Sequence, residues 1–326
     1  MLCIQTVLSI RTQCLKIGRM PRRLLLLSDL MLLAVAAVWG SSYGVVKSAL
    51  VFYPVLGLLT LRFGLTFVLL SPALRSLRHT GTRTLGSVLG TGVLLLGIFV
   101  CETFGVLLTS AANAAFLISL CVMLTPWVEW LWLGRRPTRV EGAAVLLSLV
   151  GAWLLTGGGT LAFNAGDGLI LLAALLRAVN VCATRRLMQR PGVTPLAVTA
   201  AQAGVVAAGC AALAFAATPA WPPLPSLAGH AAFWSCVLYL VLACTLFAFF
   251  AQNHAVRRSS PTRVALLMGS EPAFGALFAC LWLGERISAA ASAGGGLIVA
   301  ASLLASVVGR AAPLPAVRRA DRRVSI

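Results

Sequence analysis

The sequence predicts an all-α integral membrane protein of ten transmembrane helices, built as two inverted five-helix repeats. Three observations predict it. Hydrophobic residues make up 60% of the 326 residues and charged residues only 10%, with a mean hydropathy of +0.95, whereas about a quarter of a soluble domain is charged. A segment also occurs twice: Ser110 to Arg136, SAANAAFLISLCVMLTPWVEWLWLGRR, returns 150 residues later at Ser260 to Arg286 as SPTRVALLMGSEPAFGALFACLWLGER. Finally, the basic residues alternate from loop to loop in the way that cytoplasmic loops impose on a multi-pass chain.

A spanning helix needs roughly 20 mostly apolar residues, and ten such runs lie between short charged or Pro/Gly-containing breaks, near 30–50, 55–74, 86–108, 111–133, 141–157, 167–187, 194–217, 231–252, 263–283 and 288–309. With the N-terminus inside, the basic residues justify them in order. Arg11, Lys16, Arg19, Arg22 and Arg23 precede the first run, and a loop with only Lys47 near it leads outside to the second. Arg75, Arg78 and Arg83 then separate the second from the third on the inside, and Arg135, Arg136 and Arg139 separate the fourth from the fifth. Arg185, Arg186 and Arg190 lie between the sixth and seventh, Arg257, Arg258 and Arg263 between the eighth and ninth, and Arg310, Arg318, Arg319, Arg322 and Arg323 in the tail. The inside thus holds 22 of the 26 basic residues. Dropping or adding one helix scrambles the alternation, so both termini are expected in the cytoplasm. The formal charge of +18 then sets topology and favours anionic lipid at the cytoplasmic face of an inner or plasma membrane. No aromatic-studded basic groove or zinc finger points to nucleic acid.

Five helices per half is an odd number, so the second half enters the bilayer upside down. The repeat keeps Leu131-Trp132-Leu133-Gly134 as Leu281-Trp282-Leu283-Gly284, yet Arg135 and Arg136 follow the first copy inside while Glu285 and Arg286 follow the second outside. Likewise the basic loop 75–83 corresponds to the uncharged loop 218–230. Inverted repeats create a pseudo-two-fold axis in the membrane plane, with the substrate path between the halves. The expected organisation is a cytoplasmic tail over 1–29, a first repeat over 30–157, an outside linker over 158–166, a second repeat over 167–309 and a basic cytoplasmic tail over 310–326. Residues 1–19 read as a misassigned start, because Met20-Pro-Arg-Arg followed by an apolar run makes a natural one. No small-residue cleavage site follows the first run, which is read as a retained helix.

Seven of the nine cysteines fall within spans and no C-x-x-C occurs, so they read as lipophilic packing residues rather than metal ligands or disulfides. Neither a cofactor nor a metal is expected. Gly86-x-x-x-Gly90 and Gly294-Gly295-Gly296 lack the strand-to-helix setting of a nucleotide loop and are read as sites of close helix contact.

Several short motifs together resemble the EamA-type transporters of the drug/metabolite transporter superfamily. In the first half they are Trp39-Gly40-Ser41-Ser42, Pro54 followed by Leu61-Arg62-Phe63, and Thr109-Ser110-Ala111. In the second they are Thr245, Gln252, Pro261-Thr262-Arg263, and Glu271-Pro272 before Leu283-Gly284-Glu285-Arg286. The resemblance covers nearly all of 30–309 and implies ten helices in two inverted repeats and transport of small metabolites or toxic compounds, commonly export. It names no substrate. The halves have diverged: Cys121-Val122 stands where the second has Glu271-Pro272, so charge-bearing functions are not expected to be symmetric.

An ionisable side chain within a span costs a few kcal/mol on insertion scales and needs a partner, water or a function. Lys47, Arg62 and Arg177 balance Glu102, Glu129 and Glu271, which predicts pairing in the interior. Depth along the helices pairs Arg62 with Glu102 in the outer third and Arg177 with Glu271 near the midplane. Lys47 and Glu129 lie near span ends, where snorkelling to the headgroups is expected. Arg62 reads either as a structural ion pair or as a cation facing an anionic group of the substrate. Glu102 and Glu271 are candidates for proton coupling, since burial favours the protonated form of a carboxyl; Glu271 also precedes Pro272 and suits a kinked helix. Trp39, Asn113, Asn180, Gln202 and Tyr239 are candidate substrate contacts beside Arg62 and Arg177, and Asn180 lies one turn from Arg177 on the same helical face. The competing reading for the amides is interhelical hydrogen bonding.

The functional expectation is a secondary active transporter that exports a small organic solute, with proton drive. Two other classes compete: an integral-membrane enzyme acting on lipid-linked substrates, and a non-transporting scaffold. His79, His230 and His254 lie apart at loops or span ends, which weakens the enzyme, and a scaffold has no need of balanced charges in its interior.

Overall fold

The computed structural model describes residues 22–109, 116–155, 164–217, 223–227, 229–283 and 288–308, and among them every regular element is helical. The helices are α1 (Arg22–Leu50), α2 (Val55–Leu70), α3 (Thr82–Leu108), α4 (Cys121–Leu133), α5 (Arg139–Leu155), α6 (Ala165–Leu187) and α7 (Pro195–Ala217). They continue as α8 (Ala231–Val241), α9 (Ala248–Arg258), α10 (Pro261–Met268), α11 (Glu271–Leu283) and α12 (Ala289–Val308). A 3-10 segment, Ser71–Leu77, extends α2, and a π-helical segment, Leu242–Phe247, joins α8 to α9 in one rod. Among the described residues, seven helical segments are long and apolar enough to cross a membrane: Leu26–Leu50, Val55–Leu77, Thr82–Gly105, Phe116–Leu133, Ala165–Leu187, Pro195–Ala217 and Ala231–Arg258. The chain is a multi-pass membrane protein. Helix also occupies the other three apolar runs, in shorter pieces: α5 of 17 residues, α10 and α11 of 8 and 13, and an apolar stretch of α12 over Ala289–Ala305.

Local chemistry sets the helix ends. Asn164 and Asp167 form a capping box at the start of α6, each side chain accepting the other's backbone N–H at 3.0 Å, which satisfies two donors that the helix leaves open. Ser260 caps α10 and Pro261 occupies its first turn, where a missing N–H costs nothing. Gly134 ends α4 in the left-handed region at φ +71°, a conformation that disfavours residues with a Cβ. The break between α10 and α11 falls at Gly269-Ser270, just before Glu271-Pro272. A continuous helix there would leave the Met268 carbonyl without the N–H that Pro272 lacks.

Residue size is distributed as a lipid solvent requires. Ala36, Ala173, Ala174, Ala178, Ala197, Ala200, Ala248 and Ala251 are buried, whereas Leu131, Trp127, Val68, Leu146, Phe215 and Leu303 are exposed. Lipid tails are as apolar as leucine, so helices associate through close backbone approach rather than by hiding large side chains. The closest approaches involve glycine. A Cβ at Gly294 would lie 2.5 Å from Gly151 O, and one at Gly40 would lie 2.7 Å from Glu271 O. Gly294 thus joins α12 to α5, as expected for its glycine run, and Gly40 seats α1 on α11. Gly86 and Gly90 differ from the expectation: both are exposed, and a Cβ at either meets nothing within 4 Å. That face of α3 points outward, and Gly92, against Val205 at 2.8 Å, makes the contact with α7 instead. The larger buried side chains, among them Phe63, Phe233 and Leu240, gather where α1, α2, α3, α7 and α8 converge.

Gly294→Ala is therefore expected to lower stability by about 1–3 kcal/mol, because α5 and α12 must part to admit the methyl group. Gly86→Ala is expected to be neutral or stabilising. The midpoints of SDS-induced unfolding of the two variants test this contrast.

Candidate functional site

Arg177, at mid-length on α6, is the centre of the polar interior. Its Nη1 lies 3.5 Å from Glu271 Oε2 at the start of α11 and its Nη2 3.9 Å from Glu102 Oε2 on α3. The guanidinium stands over the Trp39 ring of α1 at 5.2 Å, a cation–π geometry. Four helices therefore meet at one side chain, and the ionic partners come from both halves of the sequence.

Arg177, Glu271 and Trp39 border a cavity lined also by Phe99, Phe249, Asn180 and Gln252, with Ser119 and Thr125 on the α4 side, while Glu102 stands behind Arg177 and does not line it. The centres of water molecules have about 50 Å³ to occupy. That is room for a few waters, so an organic solute enters only if helices part. Asn180 is buried, and its Oδ1 has no hydrogen-bond partner among the described residues. A buried acceptor without a partner is costly, and this one lines the cavity next to Arg177. Three aromatic rings, one amide acceptor and a cation between two carboxylates can hold a solute with both an apolar body and polar groups.

The remaining expected site residues divide into those near the cavity and those used elsewhere. Arg62 differs from its expected pairing with Glu102: its Nε donates to Thr245 Oγ1 at 2.5 Å and its Nη2 to Cys244 O at 3.1 Å. Trp39 Nε1 donates to the same Cys244 carbonyl at 2.9 Å. Cys244 and Thr245 belong to the π-helical segment, where Ala248 N–H bonds back to Ala243 O. The irregular turn presents the Cys244 carbonyl to side-chain donors, and that is why Arg62 binds backbone rather than a carboxylate. Tyr239 hydrogen-bonds Ser41 Oγ at 2.6 Å, and Gln202 Oε1 accepts from Asn253 Nδ2 at 3.2 Å. Both link helices, and neither lines the cavity. Asn113 lies outside the described residues, as does the side chain of Lys47.

Glu129 corrects the snorkelling expectation. It is 2% exposed, and its Oε2 accepts from Thr262 N at 2.9 Å and Thr262 Oγ1 at 2.5 Å, with Arg135 Nη1 at 3.4 Å. The start of a helix carries open N–H donors and a positive dipole end, and α10 brings them within reach of the carboxylate. Asp29 carried no sequence expectation, because it sits at the edge of the first apolar run. In the structure it is buried, and its Oδ2 accepts from Arg263 Nη2 at 2.6 Å. Gln252 also belongs to the site, and its only sequence signal is its motif match.

Comparison with known proteins follows the same lines. A model of the EamA-like transporter family matches residues 26–157 and again residues 164–307. A curated protein of Archaeoglobus fulgidus, named an uncharacterized transporter, is 31% identical over 156 residues, which is 48% of this chain and 48% of that protein. The chain thus spans about half the length of the curated relative it matches. A protein known by its crystal structure shares the fold with a TM-score of 0.70 at 20% identity, over 87% of this chain and 97% of its own.

Thr245→Val removes the acceptor of Nε of the buried Arg62, leaving the Cys244 carbonyl to Nη2, and is expected to destabilise by about 1–3 kcal/mol, whereas Ser235→Ala, on an exposed face of α8, is expected to change little. SDS-unfolding midpoints of the two variants decide it.

Proposed function

We propose, since the chain belongs to the EamA-like transporter family, that it is a secondary active transporter exporting a small organic metabolite or drug-like solute across the inner or plasma membrane by alternating access coupled to protons. The observation that carries this reading is Arg177 between Glu102 and Glu271 at the wall of a cavity. A charged triad in a membrane interior is costly to bury and so points to a functional site, and Arg177 and Glu271 of this one border space that a moving solute can use.

The reading includes ten spans in two inverted repeats with both termini in the cytoplasm. Helix packing supports it. Under an exchange of halves, the packing of α3 on α6 corresponds to that of the α8–α9 rod on α1, and that of α4 on α6 to that of α10 and α11 on α1. The contacts α2 with α7 and α5 with α12 map onto themselves. In this arrangement the basic clusters of the inside loops meet anionic lipid headgroups.

In the coupling step, a proton on Glu102 removes one of the two anions that hold Arg177. The guanidinium can then engage the solute or follow α11. Loss of the proton restores the triad and expels the polar end of the solute. Trp39, Asn180 and Gln252 supply uncharged contacts that persist through both steps.

In liposomes with an imposed pH gradient, Glu102→Gln is expected to abolish proton-driven flux while leaving solute counterflow intact. Unchanged pH dependence removes Glu102 from coupling. Absence of flux by the folded wild-type protein across a broad metabolite panel overturns the transport reading.

A further inference from the structure

Two aspartates lie towards the N-terminal ends of α1 and α6, Asp29 as the eighth residue of the first and Asp167 as the third of the second. Ten residues after Asp29 comes Trp39, and ten residues after Asp167 comes Arg177, the two side chains that stack at the cavity. Each aspartate contacts a turn of the other half. Asp29 Oδ2 accepts from Arg263 Nη2 at 2.6 Å in the first turn of α10, with 7% and 3% of the two side chains exposed. Asp167, fully buried, accepts at Oδ1 from Thr109 Oγ1 at 2.5 Å, where α3 ends. In the 150-residue repeat, Thr109 corresponds to Ser259 and Arg263 to Asn113, so the two contacts fall in corresponding segments at positions four residues apart.

We propose that Asp29 and Asp167 are the latches of two gates, Asp29 closing the cytoplasmic end of the path and Asp167 the outer end, and that the inner latch is the stronger. The proposal rests on the inverted-repeat transport reading, which puts the starts of α1 and α6 on opposite faces. Both latches are closed in this structure, in keeping with a cavity that admits only a few waters.

The difference in strength follows from the partners. The inner latch is a buried ion pair, and removing one member strands a charge; the outer one is a hydrogen bond from a neutral hydroxyl. A second inner contact reinforces the first: Glu129 of α4 holds Thr262 N–H and hydroxyl beside Arg263, and Arg135 ties Glu129 to Glu141 at 3.4 and 2.6 Å. Ala279 takes the place of Glu129 in the second copy, so the outer turn has no matching acid at that repeat position. Turn and helix from Ser259 to Leu267 are buried throughout, as a plug at the inner end must be.

Cys121, a native thiol at the cavity wall, reports on both gates without any solute. Membrane-impermeant methanethiosulfonate is applied to inside-out or right-side-out vesicles, and modification of Cys121 is read by peptide mass spectrometry. Asp29→Asn is expected to accelerate labelling from the cytoplasmic side about tenfold, and Asp167→Asn to accelerate labelling from the outer side by a smaller factor. The exchange of Asp29→Arg with Arg263→Asp is expected to restore slow labelling. If Asp29→Asn does not fold, Arg263→Lys, which keeps the charge and loses the planar fork, is expected to give a smaller acceleration from the same side. Unaltered cytoplasmic labelling in the folded variant overturns the proposal even where flux persists. Altered labelling in a protein that moves no solute keeps the gates and sinks the transport reading instead.

Discussion

Charge in the interior of a bilayer must find opposite charge or polar backbone on a neighbouring helix, and the architecture of this protein depends on that constraint. Arg177 on α6 is met by carboxylates that arrive on α3 and α11. Arg62 on α2 is satisfied because the rod of α8 and α9 contains a π-helical turn that offers it Cys244 O and Thr245 Oγ1. Arg263 on α10 is met by Asp29 of α1. Each cation therefore fixes the position of a helix distant in sequence. In hydrocarbon, where apolar burial supplies no drive between helices, such polar contacts and close glycine approaches are what remains to select one arrangement.

The same contacts define where the bundle can change. Glycine contacts such as Gly294 with Gly151 press backbone on backbone and suit a rigid seam. Polar contacts at the cavity and towards the N-terminal ends of α1 and α6 rest on single ion pairs or hydrogen bonds, and they can be exchanged without repacking apolar side chains. The break at Gly269-Ser270 lies between two of these polar contacts, with those of α10 on one side and Glu271 of the triad on the other. A shift at the triad and a shift at the plug are thus linked through one short joint. The π-helical turn is a second irregularity beside the cavity, of a type that recurs at functional sites.

Much of this is legible in the sequence, and the failures have definite causes. Composition and the loop arginines give the membrane class directly, because both follow from solvent alone. The pairing of Arg177 with Glu271 is legible from depth, since rise per residue converts position to height. Depth says nothing about azimuth, and that is why it assigns Arg62 to Glu102 while the side chain in fact faces the π-helical turn. For Glu129, distance from a span end predicts snorkelling only if no partner is buried at that level; α10 starts there and offers its N–H groups. Asp29 is invisible as an interior charge because hydropathy places it outside the first run, while the helix extends back to Arg22. Gln202 and Tyr239 have the residue types of ligands, yet only the packing of α7 on α9 and of α8 on α1 shows that they bridge helices.

The central claim is that two related bundles enter the bilayer in opposite senses and enclose a polar seam. Single cysteines placed at Ser76, in the basic 3-10 segment that extends α2, and at Ser226, in the uncharged loop before α8, test it directly through labelling by an impermeant maleimide in intact cells. The account predicts that Ser226→Cys is labelled from outside and Ser76→Cys only after the membrane is opened. Labelling of both positions from the same side would contradict it.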